Sequence, residues 1–397
     1  MNASALEGLV SCAVCGARDF ALSHRSRVAE AARDWLSALA AGISDPAGDR
    51  FQRAGMSGDG ALAFQLGSLS HLAEVNDGIG HAMIHPGVVT FPVLMEVALA
   101  QPLTVERFLT ATAAGYEAAA RIGAALGRDH YRRFHMTGTA GSFAAALTAG
   151  VGMGLSPRAL ADAVALGGAQ AAGLWQAVDD GADAVKPAHA GFAGRNGIYA
   201  ARLASAGIVG PHRILEGARG LAAAGGSVLD CAPLDARFAP SSSGLLSRTV
   251  KSWPVCGQMF HVLDALVPMR PAPDVDAITI TSFAALREVA GQTMPDTPAA
   301  ARFSTAFCVA HLLVHGRLDF GDLDAPGVLQ DQAVRALALR VELRDDAAMT
   351  AAHPQLRRAR ITMRQADGTV RTIDADGRRG EPDRRFHRAN CVGVIKD

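Results

Sequence analysis

The chain has 397 residues, which is long for one ordinary domain and fits two domains of about 100–200 residues each. Lysine plus arginine and aspartate plus glutamate each number 38, and the resulting zero net charge argues against a general nucleic-acid or membrane-surface binder. Hydrophobic residues make up 49% and aromatic residues only 5%, which excludes global disorder and favours closely packed, alanine- and glycine-rich helices over a strand-rich sandwich.

Helical spacing of apolar residues dominates the region from residue 23 to residue 267. Ser156-Pro157 supplies an N-cap followed by proline at the first helical position, and Gly207 and Gly210-Pro211 end the helix before them. The pattern predicts helices over residues 25–41, 105–127, 142–154, 157–172 and 194–206, with residues 136–139 as a loop.

Residues 136–157 carry no charge, but the predicted loop at their start leaves about 15–16 helical residues where a membrane span needs roughly 20. Residues 1–18 lack the basic start and long apolar stretch of a signal peptide, and six cysteines are too few for a disulfide framework in a chain of this size. These features predict a soluble cytoplasmic protein.

The pattern changes at Pro271-Ala272-Pro273. After it, residues 276–283 alternate with period two, and residues 338–343 and 359–365 are further predicted strands. Asp367-Gly368 predicts a hairpin into residues 369–373, and residues 299–316 are predicted as a helix. The predicted organisation is an all-α domain over residues 1–271, a smaller α+β domain over 272–375, and a tail over 376–397 that returns to the helical domain.

Generic cofactor motifs are weak or incomplete. Cys12 and Cys15 have the spacing of half a zinc site, without a second pair at a suitable distance. Gly150, Gly152 and Gly154 are better explained by close helix packing than by a dinucleotide loop, because no strand precedes them. Residues 179–183 lack the ligand spacing of an EF-hand and are interpreted as a polar loop. We therefore expect no metal and no organic cofactor.

Titratable residues next to glycine or proline form a more informative set, in segments that we expect to link helices. Loops beside a rigid scaffold often carry reactive groups. Each residue alone also has a structural interpretation: a histidine satisfied in the core, a solvated lysine, or Asp77 capping the turn at Gly78. The set comprises Asp77, His85-Pro86-Gly87, Phe134-His135, Lys186 with His189, and Lys251 with the following His261.

The order of these segments resembles the MmgE/PrpD family, which includes 2-methylcitrate dehydratase, cis-aconitate decarboxylase and iminodisuccinate epimerase. The resemblance covers roughly residues 25–386. The matching segments are Asp77, His85-Pro86-Gly87, Phe134-His135-Met136-Thr137, Lys186-Pro187-Ala188-His189-Ala190-Gly191, Gly207-Ile208-Val209-Gly210-Pro211, Lys251-Ser252-Trp253-Pro254-Val255-Cys256, His261 and Ala301-Arg302-Phe303-Ser304.

The resemblance implies a large all-α domain, a smaller α+β lid with the active site between the two, a homodimer, and no metal or organic cofactor. It assigns the active site to Asp77, His85, His135, Lys186 and Lys251. The chain departs from the family pattern at Asn76, where an acid is usual, and at Phe307, near a lid position that often carries tyrosine.

The implied chemistry is proton movement at a carbon next to a carboxylate. His85 is expected to transfer the proton, oriented by Asp77, with His135 as the second acid or base. Lys186, Lys251 and His189 are expected to contact substrate carboxylates. Phe307 either lines the substrate cleft or packs in the core. We expect a cofactor-independent hydro-lyase acting on a small polycarboxylate; the alternatives are an epimerase or decarboxylase on the same scaffold, or a binding dimer without turnover.

Overall fold

The computed structural model describes residues 4–182, 184–269 and 275–377. The chain divides into two compact units, a first unit (Met1–Thr249) and a second unit (Val250–Asp397). The division lies before the predicted boundary at residue 271, because Trp253, Phe260 and Leu266 pack in the hydrophobic core of the second unit. The Pro271-Ala272-Pro273 break itself, and the predicted tail from residue 378 onward, lie outside the described residues.

The described part of the first unit is almost entirely helical. Its helices are α1 (Ala5–Ser23), α2 (Arg25–Ser44), α3 (Gly48–Arg53), α4 (Ala61–Leu72), α5 (Gly87–Ala100), α6 (Val105–Tyr131), α7 (Met136–Met153), α8 (Pro157–Gly168), α9 (Gln176–Asp179), α10 (Val185–Ser205), α11 (Leu221–Ala224) and α12 (Ala232–Asp235), with 3₁₀ turns at Gly80–Ala82 and Pro240–Ser242. Two short strands, β1 (Gly78–Ile79) and β2 (Arg248–Thr249), pair antiparallel.

Helix α7 lies at the centre of this unit and is buried from Met136 to Gly152. The prediction of a loop over residues 136–139 is wrong, because α7 begins at Met136 directly after its N-cap, His135. Small residues let the neighbouring helices approach closely. A Cβ at Gly197 of α10 would lie within 2.7 Å of the Ala146 main-chain nitrogen of α7, a separation that real Cβ atoms do not show.

The second unit combines helices with a mixed sheet. Its described elements are α13 (Phe260–Leu266), α14 (Ala284–Ala290), α15 (Pro298–Ala301), α16 (Thr305–His315), α17 (Gln332–Ala338), α18 (Ala347–Ala352), β3 (Val275–Ser282), β4 (Val341–Asp345), β5 (Arg358–Gln365) and β6 (Val370–Asp376), with 3₁₀ turns at Gly257–Met259, Val267–Met269, Asp322–Asp324 and Val328–Gln330.

The sheet has the strand order β4-β3-β5-β6, with β3 and β4 parallel and the other pairs antiparallel. Ile280, Ile361 and Ile373 lie opposite one another across the three antiparallel strands. Gly368, with a φ of 84°, closes the predicted hairpin between β5 and β6. The fold class, mainly α with a smaller α+β part, is therefore confirmed.

The helix predicted over residues 299–316 is two helices in the structure, α15 and α16. Ser304 interrupts it, because its hydroxyl accepts a hydrogen bond from the Phe307 main-chain N–H and so caps α16 as a new helix. Among the described residues, no helix is both long enough and apolar enough to cross a membrane.

Candidate active site

The segment between α4 and α5 carries two of the predicted site residues, Asp77 and His85, and folds back tightly on itself. The Ile79 main-chain N–H donates to the Ile84 carbonyl at 2.8 Å, and β1 inside the segment pairs with β2. Glu74 and Met83 have φ angles of 54° and 52°, a region that side chains other than glycine rarely adopt. This compact path brings Asn76 and Asp77 next to His85.

Asp77 is buried, and its carboxylate is directed away from His85. Oδ2 accepts from the Tyr116 hydroxyl at 2.6 Å, and Oδ1 accepts from the Gly87 main-chain N–H at 3.1 Å. Burial and the negative charge of Asp34 raise the pKa of Asp77 to about 6, against the opposing charge of Arg248. The geometry therefore does not support the expectation that the Asp77 carboxylate orients His85.

Asp77 instead positions His85 through its main chain. His85 Nδ1 lies 2.6 Å from the Asp77 carbonyl oxygen, and the His85 main-chain N–H donates to Thr137 Oγ1 at 3.2 Å. A carbonyl can only accept, so Nδ1 carries the proton and the lone pair of the neutral ring lies on Nε2. His85 is partly exposed. Its Nε2 is consequently the atom suited to proton transfer.

His135 and His71 stack beside His85, with ring centroids 5.3 Å apart and their Nε2 atoms 3.5 Å apart. His135 is the N-cap residue of α7. Its main-chain N–H donates to the Gly173 carbonyl at 2.7 Å, and the φ of 133° at Gly173 requires glycine. His71, at the end of α4, contacts the Asn76 amide oxygen through Nδ1 at 3.0 Å. Sequence reasoning missed His71, which has no local motif.

Lys186 and His189 lie in the first turns of α10 and not, as expected, in a linking segment. Lys186 forms a buried ion pair with Glu74, a residue that sequence reasoning missed. His189 Nδ1 lies 3.3 Å from His135 Nδ1, and burial, together with the charge of Lys186, lowers the pKa of His189 to about 4. His189 is thus neutral near pH 7 and hydrogen-bonds a second imidazole.

The two remaining predicted residues belong to the second unit. Lys251 is buried, and its convergence with the histidines stays a prediction. Phe307 is fully buried within the hydrophobic core of that unit, which favours the packing interpretation over the cleft-lining one. The structure therefore gathers Asp77, His85, His135, Lys186 and His189 in the first unit.

The geometry of these residues suits proton transfer, and three of the histidines are close enough together to hold a metal ion. His85 has one ring nitrogen tied to the main chain and the other suited to accept or donate a proton. The His71, His85 and His135 rings each place one nitrogen within 4.8 Å of the other two, a spacing that a metal ion could bridge. The expectation that no metal or cofactor is needed stays a prediction.

Two family models match the sequence in succession. Residues 56–227 match the MmgE/PrpD N-terminal domain, and residues 253–392 match the MmgE/PrpD C-terminal domain. The first model includes every site residue gathered in the first unit, and the second begins two residues after Lys251.

Curated relatives with similar sequences include fungal proteins. The chain is 33% identical over 168 residues to the cis-aconitate decarboxylase-like protein oryM of Aspergillus oryzae, a match that covers 40% of this chain and 34% of the relative. It is 31% identical over 163 residues to the cis-aconitate decarboxylase of Aspergillus terreus, covering 39% of this chain and 33% of that protein. The chain thus matches about a third of the length of these relatives.

Proposed function

Because this chain belongs to the MmgE/PrpD family, we propose that it is a cofactor-independent lyase that decarboxylates a small unsaturated polycarboxylate of the cis-aconitate type. The names of its curated relatives favour decarboxylation over the dehydration expected from the sequence. The single observation that carries the proposal is the tautomer of His85, whose Nδ1 donates to the Asp77 carbonyl and whose lone pair therefore lies on Nε2.

In the proposed reaction the bond between the α-carbon and the leaving carboxylate breaks, and its electron pair stays on the substrate. A neighbouring carboxylate or double bond delocalises that charge, and cationic groups stabilise it in a dry site. Protonated His85 then delivers the Nε2 proton to carbon, and carbon dioxide leaves. Partial exposure lets His85 regain its proton from water.

Two lysines are proposed to bind the remaining carboxylates. Lys251 is the first, although it belongs to the second unit. Lys186 is the second, and its positive charge is already balanced by Glu74, so that substrate binding there adds a further anion to a buried ion pair.

Dehydration is the second candidate because the site holds two imidazoles suited to acid–base work. The ring centroids of His85 and His135 are 6.3 Å apart. One ring could remove the α-proton while the other protonates the departing hydroxyl. Both candidates require His85, so the products must separate them.

The deciding experiment incubates the purified protein in deuterated water with cis-aconitate and, separately, with 2-methylcitrate, and follows both by proton NMR. Decarboxylation should incorporate one deuteron at carbon as carbon dioxide is released. His85→Gln should lower the rate by roughly 10²–10⁴-fold. His81→Gln, at an exposed histidine in the same segment, is the matched control and should keep the parental rate.

The products distinguish the candidate functions. Loss of water from 2-methylcitrate without decarboxylation favours the dehydratase, and exchange of an α-proton without net reaction favours an epimerase. Turnover that survives His85→Gln contradicts the assignment of His85. No turnover and no exchange with either acid favours a binding protein without catalysis.

We also propose a homodimer, on the basis of an apolar stripe along α10. Val185, Phe192, Tyr199 and Leu203 are spaced by seven, seven and four residues, so they lie on one helical face, and they are between 37% and 47% exposed. Exposed apolar stripes of this kind mark protein interfaces. Light scattering should give twice the chain mass, and Phe192→Glu should give a monomer while the exposed control Leu99→Glu stays dimeric. A parental monomer would contradict this proposal.

A further inference from the structure

Three histidines from separate parts of the first unit meet at one point. His71 ends α4, His85 precedes α5, and His135 caps α7. One ring nitrogen of each lies within 4.8 Å of the other two, and His71 and His135 are fully buried while His85 is partly exposed. The cluster is therefore accessible from the side of His85.

The second nitrogen of each ring is held by an outer partner. His71 Nδ1 contacts the Asn76 amide oxygen at 3.0 Å, and His85 Nδ1 contacts the Asp77 carbonyl oxygen at 2.6 Å. His135 Nδ1 lies 3.3 Å from His189 Nδ1. Histidines that bind metal ions almost always use one nitrogen for the ion and the other for such a partner, which fixes the ring.

The spacing of the inner nitrogens also suits a metal ion. The Nε2 atoms of His71 and His135 are 3.5 Å apart, which is long for a hydrogen bond between nitrogens. Two nitrogens on one tetrahedral zinc ion, with bonds of 2.0–2.1 Å, are about 3.4 Å apart. The widest separation in the cluster is 4.8 Å, so binding would draw the His85 ring inward by about 1 Å.

We propose that His71, His85 and His135 form a three-nitrogen site for a divalent ion of the zinc type, and that this ion inhibits the enzyme. Imidazole ligands select zinc, copper or nickel over magnesium and calcium, which prefer oxygen. The second half of this proposal, inhibition by the ion (the inhibitory half), rests on the proposed function. The ion would occupy the Nε2 lone pair that His85 needs for proton transfer. Water or a substrate carboxylate would take the fourth position.

The binding test needs no substrate. Protein freed of metal with a chelator is titrated with zinc chloride against a chromogenic competing chelator, in a Cys12→Ser/Cys231→Ser background that removes two accessible thiols. We expect one zinc ion per chain. His71→Gln and His85→Gln should each weaken binding by more than 100-fold, and Asn76→Ala by about 10–100-fold through loss of an outer partner.

His130→Gln is the matched control, since His130 is another buried histidine of the first unit but contacts Thr139 and not the cluster. Its zinc affinity should equal that of the parent. If His71→Gln fails to fold, His85→Gln still tests the metal site, because a substitution at the partly exposed His85 should not prevent folding. Failure to bind one equivalent of zinc, or binding that both glutamine variants retain, overturns the site.

The inhibitory half is tested separately by adding zinc at its measured dissociation constant to the active enzyme. The rate should fall by about half and recover when chelator is added. Stoichiometric binding without inhibition overturns the inhibitory half alone. If the protein has no turnover, the proposed function fails, whereas the zinc titration and its variants still support or overturn the metal site.

Discussion

The buried ion pair between Lys186 and Glu74 permits a quantitative prediction. Their side chains are only 6% and 5% exposed, so Lys186→Met would leave the Glu74 carboxylate buried without its ammonium partner. Breaking one side of such a pair costs about 3–5 kcal/mol. For a unit of 249 residues, at roughly 2–4 °C per kcal/mol, the melting temperature should fall by about 6–20 °C.

A second variant separates stability from substrate binding. In Glu74→Gln/Lys186→Met neither side chain carries a charge, so most of the lost stability should return, because no buried ion is left unpaired. If Lys186 also binds a substrate carboxylate, the double variant should keep an elevated KM despite its restored melting temperature. Calorimetry and steady-state kinetics measure the two effects.

Two results would refute this reasoning. A Lys186→Met protein that melts within 2 °C of the parent would mean that the carboxylate is solvated or protonated at little cost. A double variant no more stable than Lys186→Met would mean that packing of the lysine stem, and not charge, dominates the loss.

Three further variants test other contacts. Tyr116→Phe removes a hydrogen bond to the Asp77 carboxylate and should cost about 1.5–3 kcal/mol in urea unfolding. Gly87→Ala should cost about 1–3 kcal/mol, because its Cβ would lie 2.8 Å from Asp77 Oδ1. The hydrogen bond to Asp162 raises the pKa of His212. The protonated His212 therefore stabilises the fold by roughly 0.5–1 kcal/mol below pH 6.5, and this stabilisation is lost as the pH rises through the raised pKa. His212→Gln should accordingly lower the melting temperature more at pH 5.5 than at pH 9.

Each variant has a control. Tyr199→Phe, at a half-exposed tyrosine, should leave stability nearly unchanged. Gly194→Ala, whose Cβ would meet only ordinary contacts at 3.4 Å or more, should not destabilise the helix. High salt should reduce the effect of His212→Gln at pH 5.5. An equal loss in a variant and its control, or a His212→Gln effect that grows with pH, would contradict the corresponding argument.

Much of the fold follows from periodicity, and the errors have local causes. The strands of the second unit show clear alternation, and helices such as α2 and α6 show apolar stripes. The sequence pattern predicts the start of α10 nine residues late, because Lys186, Pro187 and Gly191 are typical of a loop. Packing against α7 and α4 nevertheless stabilises a helix there.

The site was predictable only where a motif marks it. Asp77, His85 and His135 stand beside glycine, proline or an aromatic residue in a recognisable order. Tyr116 and Glu74 act through partners 39 and 112 residues away in the sequence, so only the folded chain reveals them. A sequence pattern likewise does not predict that the Asp77 carboxylate is directed toward Tyr116 and not toward His85.

The hydrogen bond from His85 to the Asp77 carbonyl has an evolutionary consequence. Every amino acid has a main-chain carbonyl, so the backbone at position 77, and not the side chain there, determines the tautomer of His85. Mutational drift at position 77 could then alter the polarity around Tyr116 while leaving the proton-transfer nitrogen unchanged. New substrate preferences could therefore arise in this fold while His85 keeps the same proton-transfer nitrogen.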